Sequence, residues 1–278
     1  MQKRKNLYTI VGTIVGCVSA FVLFIIPFLF MFLESVKDKK ESNQLRFSLP
    51  SEWHFLENYK EVITNQNFQL IRAFANSAVI TVGAVLLLML VCSMGGYFIQ
   101  RRNDRFSNFV NNYITIGLMV PPSIMPTIWV MQGLKLYKTM PGMILIEVTL
   151  LIPFTVMLFR GFVANIPVEL EEAALVDGCG AFKTFSMIVF PLLKPIIITC
   201  IILNSVSVYN DFMNPLYFLP GTKNPTVQLT LYSYVSLFKT EYNLLFANVI
   251  LVVLPMLILF LILNEKIIDG MTAGSVKG

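Results

Sequence analysis

The stretch "VELEEAALVDGCGAFKTFSMIVFPLLKP", residues 168–195, sets Glu169, Glu171, Glu172 and Asp177 within ten residues of one another, between two strongly apolar regions. Pro167, just upstream, suits the first position of a helix, where its missing N–H costs nothing. The carboxylates of Glu169, Glu171 and Glu172 then fall near the positive end of the helix dipole. Gly178 suits a left-handed cap that ends the helix. The spacing predicts a helix over 167–178, about three turns and roughly 16 Å long at about 1.5 Å per residue. That is too short and too charged to cross a bilayer, so the helix lies at the membrane surface. Leu170, Ala173, Ala174 and Asp177 share one face, and the two alanines leave room for a neighbouring surface to approach closely. Two readings fit: a knob that docks into a partner, or a solvated helix that joins two spans.

The surroundings decide the fold class. The chain has 278 residues, is 56% hydrophobic with 23 Phe, and is only 13% charged, against about a quarter in soluble domains. Its mean hydropathy is +0.71. Apolar runs at 7–32, 75–99, 110–131, 141–159, 196–212 and 244–263 each approach the roughly 20 residues that cross a hydrocarbon core about 30 Å thick. The expected fold is therefore an all-α integral membrane protein with six transmembrane helices. An even number of crossings puts both termini on one side. Lys3, Arg4 and Lys5 before the first run, and Arg101, Arg102 and Arg105 after the second, are dense basic clusters at membrane boundaries, which place both termini in the cytoplasm. The chain then divides into a cytoplasmic N-terminus at 1–6, a first span with its extracellular loop at 7–74, a five-helix core at 75–263 and a cytoplasmic tail at 264–278.

The net charge of +5 lies in short clusters beside apolar runs, which is topology rather than a nucleic-acid surface. "MQKRK" and the run after it resemble a signal peptide, but the run is too long and no A-x-A site follows, so it is expected to remain as the first span. In the outer loop, Phe55, Tyr59, Val62 and Ile63, then Phe68, Ile71 and Ala75, recur at helical spacing and predict helices lying on the outer surface. Pro121, Pro122 and Pro126 interrupt the third run, which must be buried in the bundle or line a cavity, because lipid cannot satisfy the freed backbone groups. Cys17, Cys92, Cys179 and Cys200 form no C-x-x-C pair and read as packing residues. Gly12, Gly16 and Ala20 make a small-residue face, for packing inside the bundle or against a second subunit.

Several chemistries are excluded. His54 is the only histidine and lies in the outer loop, so neither a Ser-His-Asp triad in the membrane nor an H-E-x-x-H zinc site can form. No G-x-x-x-x-G-K-[ST] loop occurs, and "GCGAFK" at residues 178–183 has the wrong spacing, so no cofactor is expected on this chain. Glu147 lies well inside the fourth run, where an ionisable group either lines a path or bonds to a neighbouring helix. Asn204, Ser205, Ser207, Tyr209, Asn210 and Asp211 make the fifth run polar. They suit a sugar-conducting path or interhelical packing equally.

The acidic stretch resembles the signature of inner-membrane permease subunits of binding-protein-dependent ABC importers: E-A-A, three residues, Gly, nine residues, then I-x-L-P. Glu172, Ala173, Ala174, Gly178, Ile188 and Pro191 match, with Phe190 in place of Leu. "NDF" at 210–212 followed by Pro215 and Leu216, the terminal "DGMTAGSVKG", "ENY" at 57–59 and "NSAVIT" from Asn76 resemble the maltose-type carbohydrate-uptake branch; Ser275 replaces its usual Ala. The resemblance implies a type I importer permease fold in a bacterial cell membrane. The helix bearing Glu171, Glu172, Ala173, Ala174, Asp177 and Gly178 would be the coupling helix, seated in a cleft of a cytoplasmic ATPase. Implied partners are a second related permease, two ATPase subunits that carry the ATP and magnesium, and an extracellular sugar-binding protein, with membrane lipid around the spans. The competing readings are an ABC permease for a non-sugar solute and, behind it, an ATPase-independent channel.

Overall fold

The computed structural model describes residues 12–221, 223–234 and 240–273, with side chains up to 262. The N-terminal basic cluster and the tail motif therefore lie outside the residues whose side chains are described. The described chain is all-helical: α1 (Gly12–Ser35), α2 (Phe55–Arg101), α3 (Arg105–Met119), α4 (Ile124–Gly133), α5 (Met140–Val163), α6 (Glu169–Val176), α7 (Ala181–Leu192), α8 (Lys194–Asn210), α9 (Met213–Phe218) and α10 (Tyr242–Ala273).

Four helices, α1, α2, α5 and α10, are long and apolar enough to cross a membrane, and α7 with α8, bent by 73° where they meet, makes a fifth candidate. The expected single span at 110–131 is divided. α3 stops at Met119, Val120 turns extended at ψ 117°, and α4 restarts at Ile124. Pro121 and Pro122 explain the break, because neither can donate a helical hydrogen bond and the second disfavours helical geometry in the first. Pro27 acts more gently in α1, where a π-turn at Phe21–Ile25 precedes it and absorbs the missing donor without ending the helix.

The chain forms two compact units. In the first, the chain up to Ile71 joins Thr230–Leu254. The surface helix expected from Phe55 is present as the first part of α2, which breaks at Asn65, Gln66, Asn67 and Phe68. Phe55 packs on Tyr59 with ring centroids 4.5 Å apart, and Val62 is buried. Asn58, from the "ENY" motif, donates to the carbonyls of Ser35 and Lys37 at 2.9 and 2.8 Å and accepts from Asn243 at 3.0 Å. It closes the end of α1 against the start of α10. Beneath it, Lys37 pairs with Glu34 at 2.6 Å, both fully buried, and also donates to the Arg46 carbonyl.

The second unit holds the main core, built on Leu88 and Cys92 of α2, Phe159 and Val163 of α5, Val189 of α7, Leu193 at the bend between α7 and α8, and Cys200 of α8. α2 and α5 touch closely. A Cβ at Gly96 would lie 2.7 Å from the Phe159 Cβ and 3.0 Å from the Arg160 nitrogen. The motif residues Asn76 and Ser77 act as staples here, Asn76 donating to the Pro225 carbonyl at 2.9 Å and Ser77 Oγ accepting the Val227 N–H at 3.0 Å. Cys92 and Cys200 are packing residues as expected, whereas Cys17 is exposed and Cys179 half-buried. The face carrying Gly12, Gly16 and Ala20 is exposed, so internal packing does not account for it. Leu86, Leu90, Phe109, Tyr113, Met119 and Trp129 are also turned outward, as lipid or a partner chain requires.

Candidate functional site

Two places concentrate the chemistry-bearing residues of the second unit. The first is α6. It begins at Glu169, two residues later than Pro167 suggested, because Val168 rather than Pro167 supplies the first carbonyl, accepting from the Glu171 and Glu172 N–H groups. Its end is a Schellman cap: the Gly178 N–H donates to the Leu175 carbonyl at 3.0 Å, the Cys179 N–H donates to the Ala174 carbonyl at 2.9 Å, and Gly178 sits at φ +81°.

The acidic residues of α6 divide by face. Glu171 is buried; it accepts from Arg101 Nε at 2.7 Å through one carboxylate oxygen and from the Tyr97 hydroxyl at 2.8 Å through the other. Arg101 also donates to the Ile166 carbonyl at 2.7 Å, and the Tyr97 ring packs on Phe185 of α7 at 5.3 Å. This clasp ties α6 to the end of α2. Ala174 is buried beside it, so of the two alanines only Ala173 is exposed. Glu172, Ala173, Leu175, Val176, Asp177 and Gly178 are exposed, Val176 to 88%. Ile188 is half-buried and Pro191 is exposed in α7. Tyr97 and Ile166 carried no signal in the sequence, and Arg101 was visible there only as part of the basic cluster after the second apolar run.

The second place is a cavity of about 280 Å³ between α5 and the end of α8, lined by Glu147, Leu150, Leu151, Ser207, Asp211 and Asn214. Glu147 is 3% exposed, and its carboxyl lies against that of Asp211. Asp211 Oδ1 accepts the N–H groups of Met213 and Asn214 at 2.9 and 3.3 Å, which starts α9. Asp211 Oδ2 and Glu147 Oε1 are buried with no hydrogen-bond partner other than the neighbouring carboxyl among the described residues. Of the polar residues expected on one path, Glu147, Ser207 and Asp211 come together here. Asn204 does not: it is buried against Thr155, donating at 3.2 Å and accepting at 3.4 Å, so it is an interhelical packing group. Tyr209 is buried in the core, and Asn210 is exposed and accepts from Gln228 at 3.1 Å. Asn214 is the lining residue the sequence did not offer.

A third feature is a polar cavity of about 610 Å³ in the first unit, with Asp38, Glu41, Glu52 and His54 in its wall. His54 Nδ1 lies 2.6 Å from Glu57 Oε2, and this hydrogen bond, helped by the negative charges of Glu57, Glu52 and Asp38, pushes the imidazole pKa above its ordinary value. Among the described residues no three His, Cys, Asp or Glu side chains group as a metal site.

Residues 92–272 match the family described as "Binding-protein-dependent transport system inner membrane component". The chain is 30% identical over 275 residues to the probable starch degradation products transport system permease protein AmyC of Thermoanaerobacterium thermosulfurigenes, covering 99% of this chain and 97% of that one. It is 31% identical over 279 residues to the melibiose/raffinose/stachyose import permease protein MelC of Bacillus subtilis (strain 168), covering 99% and 98%. Among solved structures, a bacterial ABC transporter involved in the import of the acidic polysaccharide alginate has a chain of the same fold, with a TM-score of 0.82 at 18% identity over 95% of this chain and 98% of that one. The signature around Glu172 and Gly178, the crossing helices and a family match over more than half the chain lead to one conclusion: this multi-pass membrane protein belongs to the inner-membrane components of binding-protein-dependent transport systems, and is a transport subunit rather than an enzyme.

Proposed function

We propose that the chain is one of two related permease subunits of a bacterial sugar importer, and that α6 is its coupling helix. The observation that carries this is the two-sided build of α6: Glu171 is clasped by Arg101 and Tyr97 on the inner side, while Glu172, Ala173, Val176, Asp177 and Gly178 stay exposed on the other. A solvated connecting helix has no need of a buried ion pair at its base, whereas a lever that transmits force needs one end held fast. In this reading two cytoplasmic ATPase subunits, which bind the ATP and magnesium, receive α6. An extracellular sugar-binding protein delivers substrate. ATP-driven closure draws α6 toward its counterpart in the second permease, the spans open outward, and hydrolysis resets them inward. Six crossings, with both termini in the cytoplasm, fit the contacts between helix ends. The sugar assignment is supported by the relatives' names and by the hydrogen-bonding lining of the α5–α8 cavity.

The test is purification of the complex and measurement of ATP-driven uptake of labelled maltotriose and raffinose in proteoliposomes, with wild type and with Gly178→Asp. Gly178 has open space around it but a left-handed backbone, so a side chain there strains the cap and protrudes into the docking face. The expected result is an ATPase that co-purifies with the wild type, and uptake that falls by about tenfold or more in the variant while the protein still inserts. Undiminished uptake would remove the coupling role from α6. Passive uptake without an ATPase would replace the importer by a channel.

A further inference from the structure

We propose that the α5–α8 cavity is a subsite for one uncharged sugar ring, and that its two carboxyls make this permease reject acidic sugars. The inference rests on the importer reading and names the substrate class that the path admits. The cavity, about 280 Å³, lies at the lower end of the roughly 300–1,000 Å³ that encloses drug-sized ligands, so it holds one ring of a longer glycan rather than the whole chain. Its polar wall is dominated by acceptors. Glu147 Oε1 and Asp211 Oδ2 are both buried with no partner other than the neighbouring carboxyl among the described residues, and Glu147 is 3% exposed.

The two carboxyls lie against each other, so a shared proton satisfies one oxygen of the pair, and the remaining lone pairs face the cavity, where a ligand's hydroxyls can supply donors. Vicinal sugar hydroxyls are paired donors at a spacing that two adjacent carboxyls can accept. Ser207 adds a hydroxyl that turns either way, Asn214 offers an amide to the ring's own oxygens, and Leu150 and Leu151 give the apolar face of a pyranose something to lie on. A uronate ring would instead bring a third carboxylate toward two that already face each other, with no Lys or Arg in the lining to offset it.

Asp211 is also held rigidly for the task. Its Oδ1 is committed to the α9 N–H groups, so its Oδ2 is fixed in direction. The acidic-glycan importer of the same fold therefore does not predict this chain's cargo. The shared backbone is compatible with opposite selectivity, because selectivity sits in two side chains.

The experiment is equilibrium dialysis of radiolabelled maltotriose, raffinose, trigalacturonate and fully deacetylated chitotriose against the purified permease–ATPase complex without its binding protein, so that only the membrane site is read. The wild type is expected to bind at least one of the two neutral trisaccharides and no trigalacturonate. Glu147→Gln with Asp211→Asn is expected to lose about tenfold in neutral-sugar affinity and to narrow the gap to trigalacturonate. Leu150→Phe, which fills the cavity and keeps both carboxyls, is expected to abolish binding. Equal binding of trigalacturonate by wild type would overturn the proposal, as would unchanged neutral-sugar binding in the carboxyl variant, or binding of deacetylated chitotriose alone. ATP-driven sugar uptake, measured in parallel, separates the two failures: its loss in wild type sinks the importer reading, whereas uptake with any of those three binding results sinks only this one.

Discussion

Single residues set the electrostatics of the polar cavity in the first unit, and His54 gives a direct test of it. Its imidazole is hydrogen-bonded to Glu57, with Glu52 and Asp38 nearby, and the charged form is favoured. The folded-state pKa is therefore raised above the ordinary value of about 6.5. The sign follows: the contribution of this contact is fully present below the unfolded value and is lost as pH rises through the higher folded one. Because His54 is the only histidine in the chain, selective ¹³C-His labelling gives one ring resonance to follow. The expected midpoint lies above 6.5 in wild type and falls in Glu57→Gln. A midpoint unaffected by that substitution would mean the bond to Glu57 does not form in solution. The same scale shows why neighbours in sequence part company. Glu171 and Glu172 are adjacent and chemically alike, yet only Glu171 meets Arg101, a residue about seventy positions away, and no local pattern announces that pairing.

Elements were legible to the degree that their signals are local. α6 could be read from its acidic first turn and Gly178, and its cap is the expected left-handed one, because a cap is made within six residues. The interruption at Pro121 and Pro122 could be read too, but not that it separates two helices, since membrane helices tolerate proline where neighbouring groups re-satisfy the freed backbone. The cavity was only half legible. Glu147 and Asp211 are each visible as polar intrusions, but their meeting depends on how α5 packs on α8, as does the diversion of Asn204 into a bond with Thr155. Helix contact also decides which glycines matter. Gly95 and Gly96 are consecutive in α2, yet a Cβ at Gly95 meets only Val156 at an ordinary 3.8 Å, whereas one at Gly96 runs into the α5 backbone. Gly96→Ala is expected to cost about 1–3 kcal/mol and lower the unfolding temperature of the detergent-solubilised protein by several degrees. Gly95→Ala is expected to leave it nearly unchanged. Equal effects would mean that α2 and α5 do not approach at Gly96.

At the scale of the whole molecule, contacts between helix ends count the crossings. Arg101 at the end of α2 bonds to Glu171 at the start of α6, so those two points lie on one side of the membrane, and the chain between them crosses an even number of times. α5 is one crossing. In the proposed topology the divided α3–α4 segment supplies the other, although neither half is long enough alone. The same count works on the opposite face. The Lys138 N–H donates to the Phe218 carbonyl at 3.1 Å, so α5 and the bent α7–α8 pair between them make two crossings. Counting α1, α2 and α10 as crossings too gives the proposed total of six, with both termini in the cytoplasm in that reading. Single cysteines at Ser48, Asn103, Leu134 and Asn165, in a background lacking Cys17, Cys92, Cys179 and Cys200, test the count with a membrane-impermeant maleimide. Ser48→Cys and Leu134→Cys are expected to react in intact cells, while Asn103→Cys and Asn165→Cys react only after permeabilisation. Labelling of Asn103→Cys in intact cells would make α3–α4 a re-entrant hairpin. It would also break the clasp between Arg101 and Glu171, because the two would then sit on opposite faces of the bilayer.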